Sequence, residues 1–308
     1  MTDRNRQPSF FARLQSIVRR ALSGGGARTS TPPVESGAEA VLLPEAEKRL
    51  ISDYFDLLRQ QGALEESLAP DPTSIARYVE SPCDAERELL WAFDSCFYLS
   101  HSHDVAARGE NPLVHFIKCG WLEGRSPSPL IDIPHMVRLR PELGAGKDCA
   151  PLAAFLSESA SRSVSTHPLF NEDYYASQLT TPIPGSALKH FLGGLGGGAR
   201  PHRLFAPSYY LSQIPTLDAR QSPLSHYLCE GWRMGLKPHP EFDTAYYLSA
   251  NPDVAAAGVE PLTHYVEHGQ MEDRNPSYAF HSATYRKLVG FEKTPEMSPL
   301  EHKLIYNA

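Results

Sequence analysis

Along the chain, apolar and aromatic positions come in short bursts separated by proline, glycine and small polar residues. The fullest burst opens at Phe242-Asp243 and runs through Tyr246-Tyr247-Leu248 to Asn251-Pro252-Asp253-Val254 and Gly258. It resumes at Pro261-Leu262 and His264-Tyr265 and ends at Gly269. Asp243 suits the N-cap of a helix over Thr244–Ala250, because its carboxylate accepts from the open amides of a first turn. Asn251 and Pro252 mark a second start, with Asn at the cap and Pro in the first turn. Gly258 suits a left-handed stop. Pro261 opens a third helix that Gly269 closes, with Leu262, Tyr265 and Val266 on one face. Strand-like alternation is essentially absent, so the pattern predicts an all-α fold of short helices.

The burst recurs. Its opening position is Phe93, Ile131, Phe170, Phe205, Phe242 and Phe280, and its Pro-Leu position is Pro112, Pro151, Ala187, Pro223, Pro261 and Pro299. Both markers return every 35–39 residues, which is the signature of a repeat architecture. The copy opened by Ile131 is the most degenerate, with Ala154 where the others place His, and the sixth reaches only Tyr306. A single copy is not expected to bury its Tyr and Leu side chains alone, whereas stacked copies bury them in a continuous core. The expected architecture is therefore an array of about six short three-helix repeats over residues 86–308. The alternative is one compact helical domain in which the copies wrap around each other. Residues 36–85 read as a helical adaptor that caps the array. It contains a helix from Pro44 to about Gln61, with Leu50, Tyr54, Leu57 and Leu58 on its apolar face, and a second over Asp84 to Trp91.

Residues 1–35 are different. Phe10, Leu14, Ile17 and Ala21 fall on one helical face, next to Phe11 and flanked by Arg13, Arg19 and Arg20. This basic amphipathic pattern suits contact with an anionic membrane surface through residues 9–22; a frayed terminus or a helix docked on the protein fits the same pattern. A Gly, Ser, Thr and Pro-rich stretch follows and reads as a flexible linker. The net charge is −7, and residues 1–30 carry six Arg against Asp3, so the body is more acidic than the total. An acidic body disfavours nucleic acid as a partner. The five cysteines are scattered without a C-x-x-C pair, which fits reduced thiols in a cytoplasmic compartment. No apolar run approaches the length of a membrane span, and no secretory leader is visible.

The repeated string, with its closing segment Gly120-Trp121-Leu122-Glu123-Gly124-Arg125-Ser126-Pro127, resembles a tandem module that accompanies bacterial cell-surface polysaccharide glycosyltransferases, including rhamnan-synthesis-like proteins. The resemblance covers roughly residues 90–305. It implies glycosyltransferase or polysaccharide-assembly components as protein partners; the scattered cysteines and the basic segment Phe10–Leu22 add the expectation of a cytoplasmic location, peripheral at the inner membrane. It does not supply a catalytic centre. The chain has no Asp-x-Asp of the kind that holds a nucleotide-sugar metal, and no alternation of strands and helices. Gly193-Gly194-Leu195-Gly196-Gly197-Gly198 lacks the Lys and Ser/Thr of a phosphate loop and reads as a turn.

His115, His190, His226, His264 and His302 recur one per copy. Equivalent histidines one helix spacing apart lie too far from each other to share an ion, so they read as packing or capping residues. No catalytic residue, metal site or cofactor is expected. Trp121 and Trp232 stand just after the closing Gly; exposed, they would contact glycans or a partner, and buried, they would pack. The reading is a non-catalytic scaffold or adaptor in surface-polysaccharide biosynthesis. The alternatives are the non-catalytic N-terminal region of a larger glycosyltransferase, and a glycan-binding module.

Overall fold

Asp71-Pro72 shows how local chemistry starts a helix in this protein. The Asp71 carboxylate accepts from the amides of Thr73 (2.7 Å) and Ser74 (3.0 Å), and Pro72 occupies the first turn. The resulting helix, α2 (Pro72–Glu80), buries Ile75 and Tyr78 against α1 (Leu42–Gln60), whose Leu50, Ile51, Tyr54, Phe55, Leu57 and Leu58 are buried. Residues 42–60, 70–83, 90–141, 165–183, 185–217, 221–292 and 297–306 are described by the computed structural model. They are all-α. Among them extended pairing takes the form of single bridges, such as Ser128 with Ile131, His239 with Phe242 and Ser277 with Phe280. The basic segment with Phe10, Phe11, Arg13, Leu14, Ile17, Arg19 and Arg20, the linker, Ala154, and all but the end of the helix expected over Asp84 to Trp91 lie outside the described residues.

The chain divides into two compact bodies, Met1–Thr166 and His167–Ala308. The division falls at the join between two repeated segments. In the first body come α3 (Ser95–His101), α4 (His103–Arg108), α5 (Pro112–His115, continued by a wider turn over Phe116–Gly120) and α6 (Ile133–Leu139). In the second come α7 (Glu172–Ser177), α8 (Ala187–Leu192), α9 (Pro207–Leu211), α10 (Pro223–His226, widened over Tyr227–Gly231), α11 (Thr244–Ala250), α12 (Pro252–Ala257), α13 (Pro261–His264, widened over Tyr265–Gly269), α14 (Ser282–Val289) and α15 (Pro299–Tyr306).

Each segment starts with a tight turn into its opening residue, as where the Phe242 amide donates to the His239 carbonyl at 3.0 Å. Asp94, Asp132, Asn171 and Asp243 then cap the next helix through side-chain bonds of 2.8–3.0 Å to the amide three residues on. The cap's own amide has no partner in the helix it starts, and a buried unpaired N–H is costly. Here it donates to a carbonyl at the far end of the same segment. Asp94 reaches Pro127 (2.9 Å), Asp132 reaches Thr166 (2.8 Å), Asn171 reaches Pro201 (2.9 Å), Ala206 reaches Pro238 (2.8 Å) and Asp243 reaches Pro276 (3.0 Å).

Each segment thus closes on itself, and the closed loop builds its own aromatic core. Phe242, Tyr247 and Tyr265 lie 5.3–5.9 Å apart between ring centroids, the two tyrosines nearly perpendicular. Phe93, Tyr98 and Phe116 repeat the arrangement, as do Phe170, Tyr175 and Phe191, and Phe205, Tyr210 and Tyr227. Edge-to-face pairs of this kind add about 0.5–1.5 kcal/mol each beyond area burial. Tyr227 and Tyr265 also lie against the following segment, Tyr227 beside Thr244 and Glu260, and Tyr265 beside Ser282 and Ser298, so neighbouring segments share in their burial.

The expectation of three helices in every copy is corrected. α4 and α12 are present, each ending at a left-handed glycine, Gly109 (φ 63°) and Gly258 (φ 64°). The segments opened by Phe170 and Phe205 carry no second helix among the described residues. In its place Gln178 donates to the Arg200 carbonyl and accepts from the Arg200 amide (2.9 and 3.0 Å), and Gln213 does the same with Lys237 (2.7 and 3.0 Å). One amide side chain thus satisfies both backbone groups of a distant residue. Replacing Gln213 by Ala leaves the half-buried Lys237 amide and carbonyl unpaired, and a loss of about 2 kcal/mol is expected. Urea denaturation followed by circular dichroism measures it; a loss below 0.5 kcal/mol would rule out the staple as a stability element (about half the usual net worth of one hydrogen bond).

Asn251 is a further correction. It precedes α12 but makes no side-chain cap bond. Its Nδ2 donates to the Tyr247 carbonyl (2.7 Å) and its Oδ1 accepts from Arg274 (3.0 Å), tying the two helices together.

Candidate functional site

The most repeated polar constellation is a tyrosine, a histidine and a glycine. The tyrosine sits four residues after the cap, on the inner face of the first helix. The histidine sits in the last helix of the segment. The Tyr hydroxyl meets His Nδ1 in five places: Tyr98 with His115 (2.8 Å), Tyr175 with His190 (2.9 Å), Tyr210 with His226 (2.5 Å), Tyr247 with His264 (2.9 Å) and Tyr285 with His302 (2.8 Å). Gly120, Gly196, Gly231 and Gly269 complete four of these, because a Cβ there would be driven into the hydroxyl of Tyr98, Tyr175, Tyr210 and Tyr247 respectively. None of these four glycines has a positive φ. Gly269 was expected as a helix-ending residue; it lies within the last turn, and its hydrogen side chain is what admits the Tyr–His bond.

Burial determines the protonation of the pair. It pushes the Tyr175 phenol up to about 12, and Tyr98, Tyr210 and Tyr247 higher still. It lowers the imidazoles of His115 and His264, with smaller contributions from the cations Arg125 and Arg274. In the Tyr98–His115 and Tyr247–His264 pairs a neutral phenol and a neutral imidazole therefore share one hydrogen bond at Nδ1. Burial moves the two titrations away from neutral pH in opposite directions, so both groups stay uncharged. The histidines are packing residues with a satisfied ring nitrogen. The Ile131 segment has Met136, fully buried, in the tyrosine position and Ala154 in the histidine position, so both halves of the pair are replaced together.

The closing Glu-x-Arg motif has a role the sequence reading did not assign. Arg125 holds Asp104 through two bonds (2.6 and 2.9 Å) and Glu123 through its Nε (2.6 Å). Arg274 repeats this with Asp253 (2.9 and 2.8 Å) and Glu272 (2.5 Å). The arginine pairs hold the Asp253 carboxyl down at about 2 and push Asp104 lower still. These clamps join the end of a segment to its second helix. They occur where α4 and α12 exist, and the Gln staples occur where no second helix does. Asp273 takes the left-handed position held by Gly124 and Gly235 in other copies (φ 59°), and its carboxylate is bound by Arg286 at 2.6 and 2.7 Å.

Trp121 and Trp232 are 7% and 8% exposed, so their faces are spent on packing and not presented to a sugar. Trp232 donates from Nε1 to the Leu228 carbonyl at 3.1 Å, with the Arg233 guanidinium 4.4 Å above its ring. Gln270, equally buried, occupies the corresponding place after Gly269 and donates to the carbonyl of Val266. Trp232 and Gln270 thus share a buried N–H donor aimed at the carbonyl four residues back. The neighbouring apolar side chains point outward: Leu122 is 59% and Met234 63% exposed.

One group in the first body is chemically different. Among the described residues, His115, Cys119 and Glu123 are the one set of three His, Cys, Asp or Glu side chains whose ligand atoms all lie within 4.8 Å of one another. Equivalent histidines in different copies do not share an ion, but the i, i+4, i+8 spacing within one copy is the sequence signal that finds this group. No helix among the described residues is long and apolar enough to cross a membrane. No protein-family model, curated protein or solved structure matches the chain.

Proposed function

We propose that the chain is a non-catalytic helical-repeat scaffold that presents binding surfaces to components of bacterial surface-polysaccharide synthesis. The segments opened by Phe93, Ile131, Phe170, Phe205, Phe242 and Phe280 are then six copies of one unit, with residues 36–85 as their cap. The observation that carries this reading is the fate of the recurrent polar residues. Tyrosine, histidine, aspartate, arginine and glutamine are turned onto partners of their own segment, in bonds that hold the loop closed. Their bonds are directed into the segment, which favours a structural over a catalytic role. Exposed apolar residues such as Leu122, Met234 and Met271 remain at the surface, one per closing turn, and suit protein contacts. The association with glycosyltransferases rests on the resemblance of the repeated string, and residues 9–22 would add contact with an anionic membrane surface.

Two measurements test it. Incubated with uridine, guanosine and thymidine diphosphate sugars, the purified chain is expected to release no nucleotide above a protein-free blank; turnover would make it an enzyme. A photo-crosslinking amino acid at Met234, introduced in the native host, is expected to trap a glycosyltransferase or an assembly component. Recovery of proteins unrelated to polysaccharide synthesis would sink the proposed association.

A further inference from the structure

We propose that His115, Cys119 and Glu123 form a binding site for a divalent transition-metal ion, with zinc as the best-suited occupant. The three residues follow one another at four-residue intervals through the widened last turn of α5, so their side chains leave the same face. The His115 Nε2 and Cys119 Sγ atoms are 3.4 Å apart. Zinc bonds of about 2.0 Å to nitrogen and 2.3 Å to sulfur at a tetrahedral angle separate such a pair by about 3.5 Å. The two atoms already stand at the spacing of adjacent corners of a zinc tetrahedron. Glu123 supplies the third corner, since its ligand oxygen lies within 4.8 Å of both. A His, Cys, carboxylate set mixes one soft and two borderline or hard donors, which suits zinc and disfavours magnesium and calcium.

The surrounding groups orient the donors as outer partners do in metal sites. Tyr98 lies 2.8 Å from His115 Nδ1; with its proton on Nδ1 the imidazole donates to the phenol oxygen, which fixes the ring and leaves the Nε2 lone pair facing Cys119. Arg125 holds one oxygen of Glu123 at 2.6 Å and leaves the other available. Cys119 is half-buried and Glu123 is exposed, so an ion can enter from solvent and keep water or a partner's side chain as its fourth ligand. The same spacing elsewhere yields Glu230 and Met234 after His226, and His268 and Glu272 after His264. Only the Phe93 segment combines a thiol with the histidine and carboxylate. The Tyr–His bond that stabilises every complete copy thus provides, in this copy, an oriented imidazole to which Cys119 and Glu123 have been added.

Cobalt(II) titration of the reduced full-length chain tests the site. One equivalent is expected to produce a thiolate-to-cobalt charge-transfer band with tetrahedral d–d absorption, and zinc should abolish both in competition. Cys119→Ala should remove the charge-transfer band. Glu123→Gln should weaken zinc binding by more than the roughly 10–100-fold that loss of an outer partner costs. Cys229→Ala, in the other body, should leave the spectrum unchanged. All three substitutions spare the Tyr98–His115 bond, and unchanged far-ultraviolet circular dichroism confirms that each variant is folded. Absence of the band at stoichiometric cobalt, or its survival in Cys119→Ala, would overturn the assignment.

Discussion

Gly231→Ala is expected to destabilise the second body by about 3 kcal/mol, a large loss for the addition of one methyl group. The new Cβ would overlap the Tyr210 hydroxyl and lie 3.0 Å from Tyr210 Cζ. Tyr210 is fully buried among Phe205 and Tyr227, so its ring has no room to retreat. The methyl must therefore either displace the ring or break the hydrogen bond to His226. The double variant Tyr210→Phe/Gly231→Ala separates these causes. Without the hydroxyl the methyl gains space, so the double variant should be more stable than Gly231→Ala alone, even though Tyr210→Phe by itself is destabilising. Gly235→Ala is the comparator: its Cβ meets nothing within 4 Å, but φ is +75°, and the cost expected from the left-handed backbone is about 1–2 kcal/mol. Urea denaturation gives the free energies, and amide hydrogen exchange over residues 205–238 locates them. Strict additivity of Tyr210→Phe and Gly231→Ala would show that the close approach is not the cause.

Lowering the pH should destabilise the second body between about pH 6.5 and 4, with His239 as the main contributor. Burial, with a smaller contribution from Arg200, lowers the His239 imidazole to about 4; Lys303 acts in the same direction and Glu241 opposes it. The unfolded chain then binds a proton that the folded body refuses. Stability is complete above the ordinary histidine value, is lost as pH falls toward about 4, and levels off below it. The loss is of order 3 kcal/mol. His202 adds to the trend in the same direction, because burial outweighs the nearby Glu301 carboxylate. The decisive variant is His239→Asn. His239 Nδ1 accepts from the Glu241 amide (3.2 Å), and an asparagine oxygen reaches the amide two residues on in the same way. The variant should keep the turn into Phe242 and flatten the pH profile. Parallel profiles for the native chain and the variant would remove His239 from the account.

These two predictions mark how far the candidate constellation could be read from the sequence. The glycines of the closing turns are visible as repeats, but an end-of-helix role explains them equally well until the tyrosine is known to lie against them. Asn251 before Pro252 has the composition of a cap, yet its amide is taken by Tyr247 and Arg274, two partners that no local rule supplies. Trp121 and Trp232 suggest a sugar platform in one dimension; both are buried, and Trp232 serves as a donor to a backbone carbonyl, a task Gln270 also performs. The missing second helix after Gln178 and Gln213 is legible only in retrospect, as the absence of the Asp and Arg that clamp it elsewhere.

The sequence alone determined the helical class, the period, the cap at Asp243 and the left-handed stop at Gly258. These are interactions within a turn or two of chain, where residue type and spacing carry nearly all the physics. The tertiary structure decided which distant groups meet: Asp243 with Pro276, Tyr247 with His264, and Arg274 with Asp253. Those meetings depend on how a segment closes on itself. Closure is set by side-chain volume and by the need to pair buried polar groups, neither of which can be read from position along the chain.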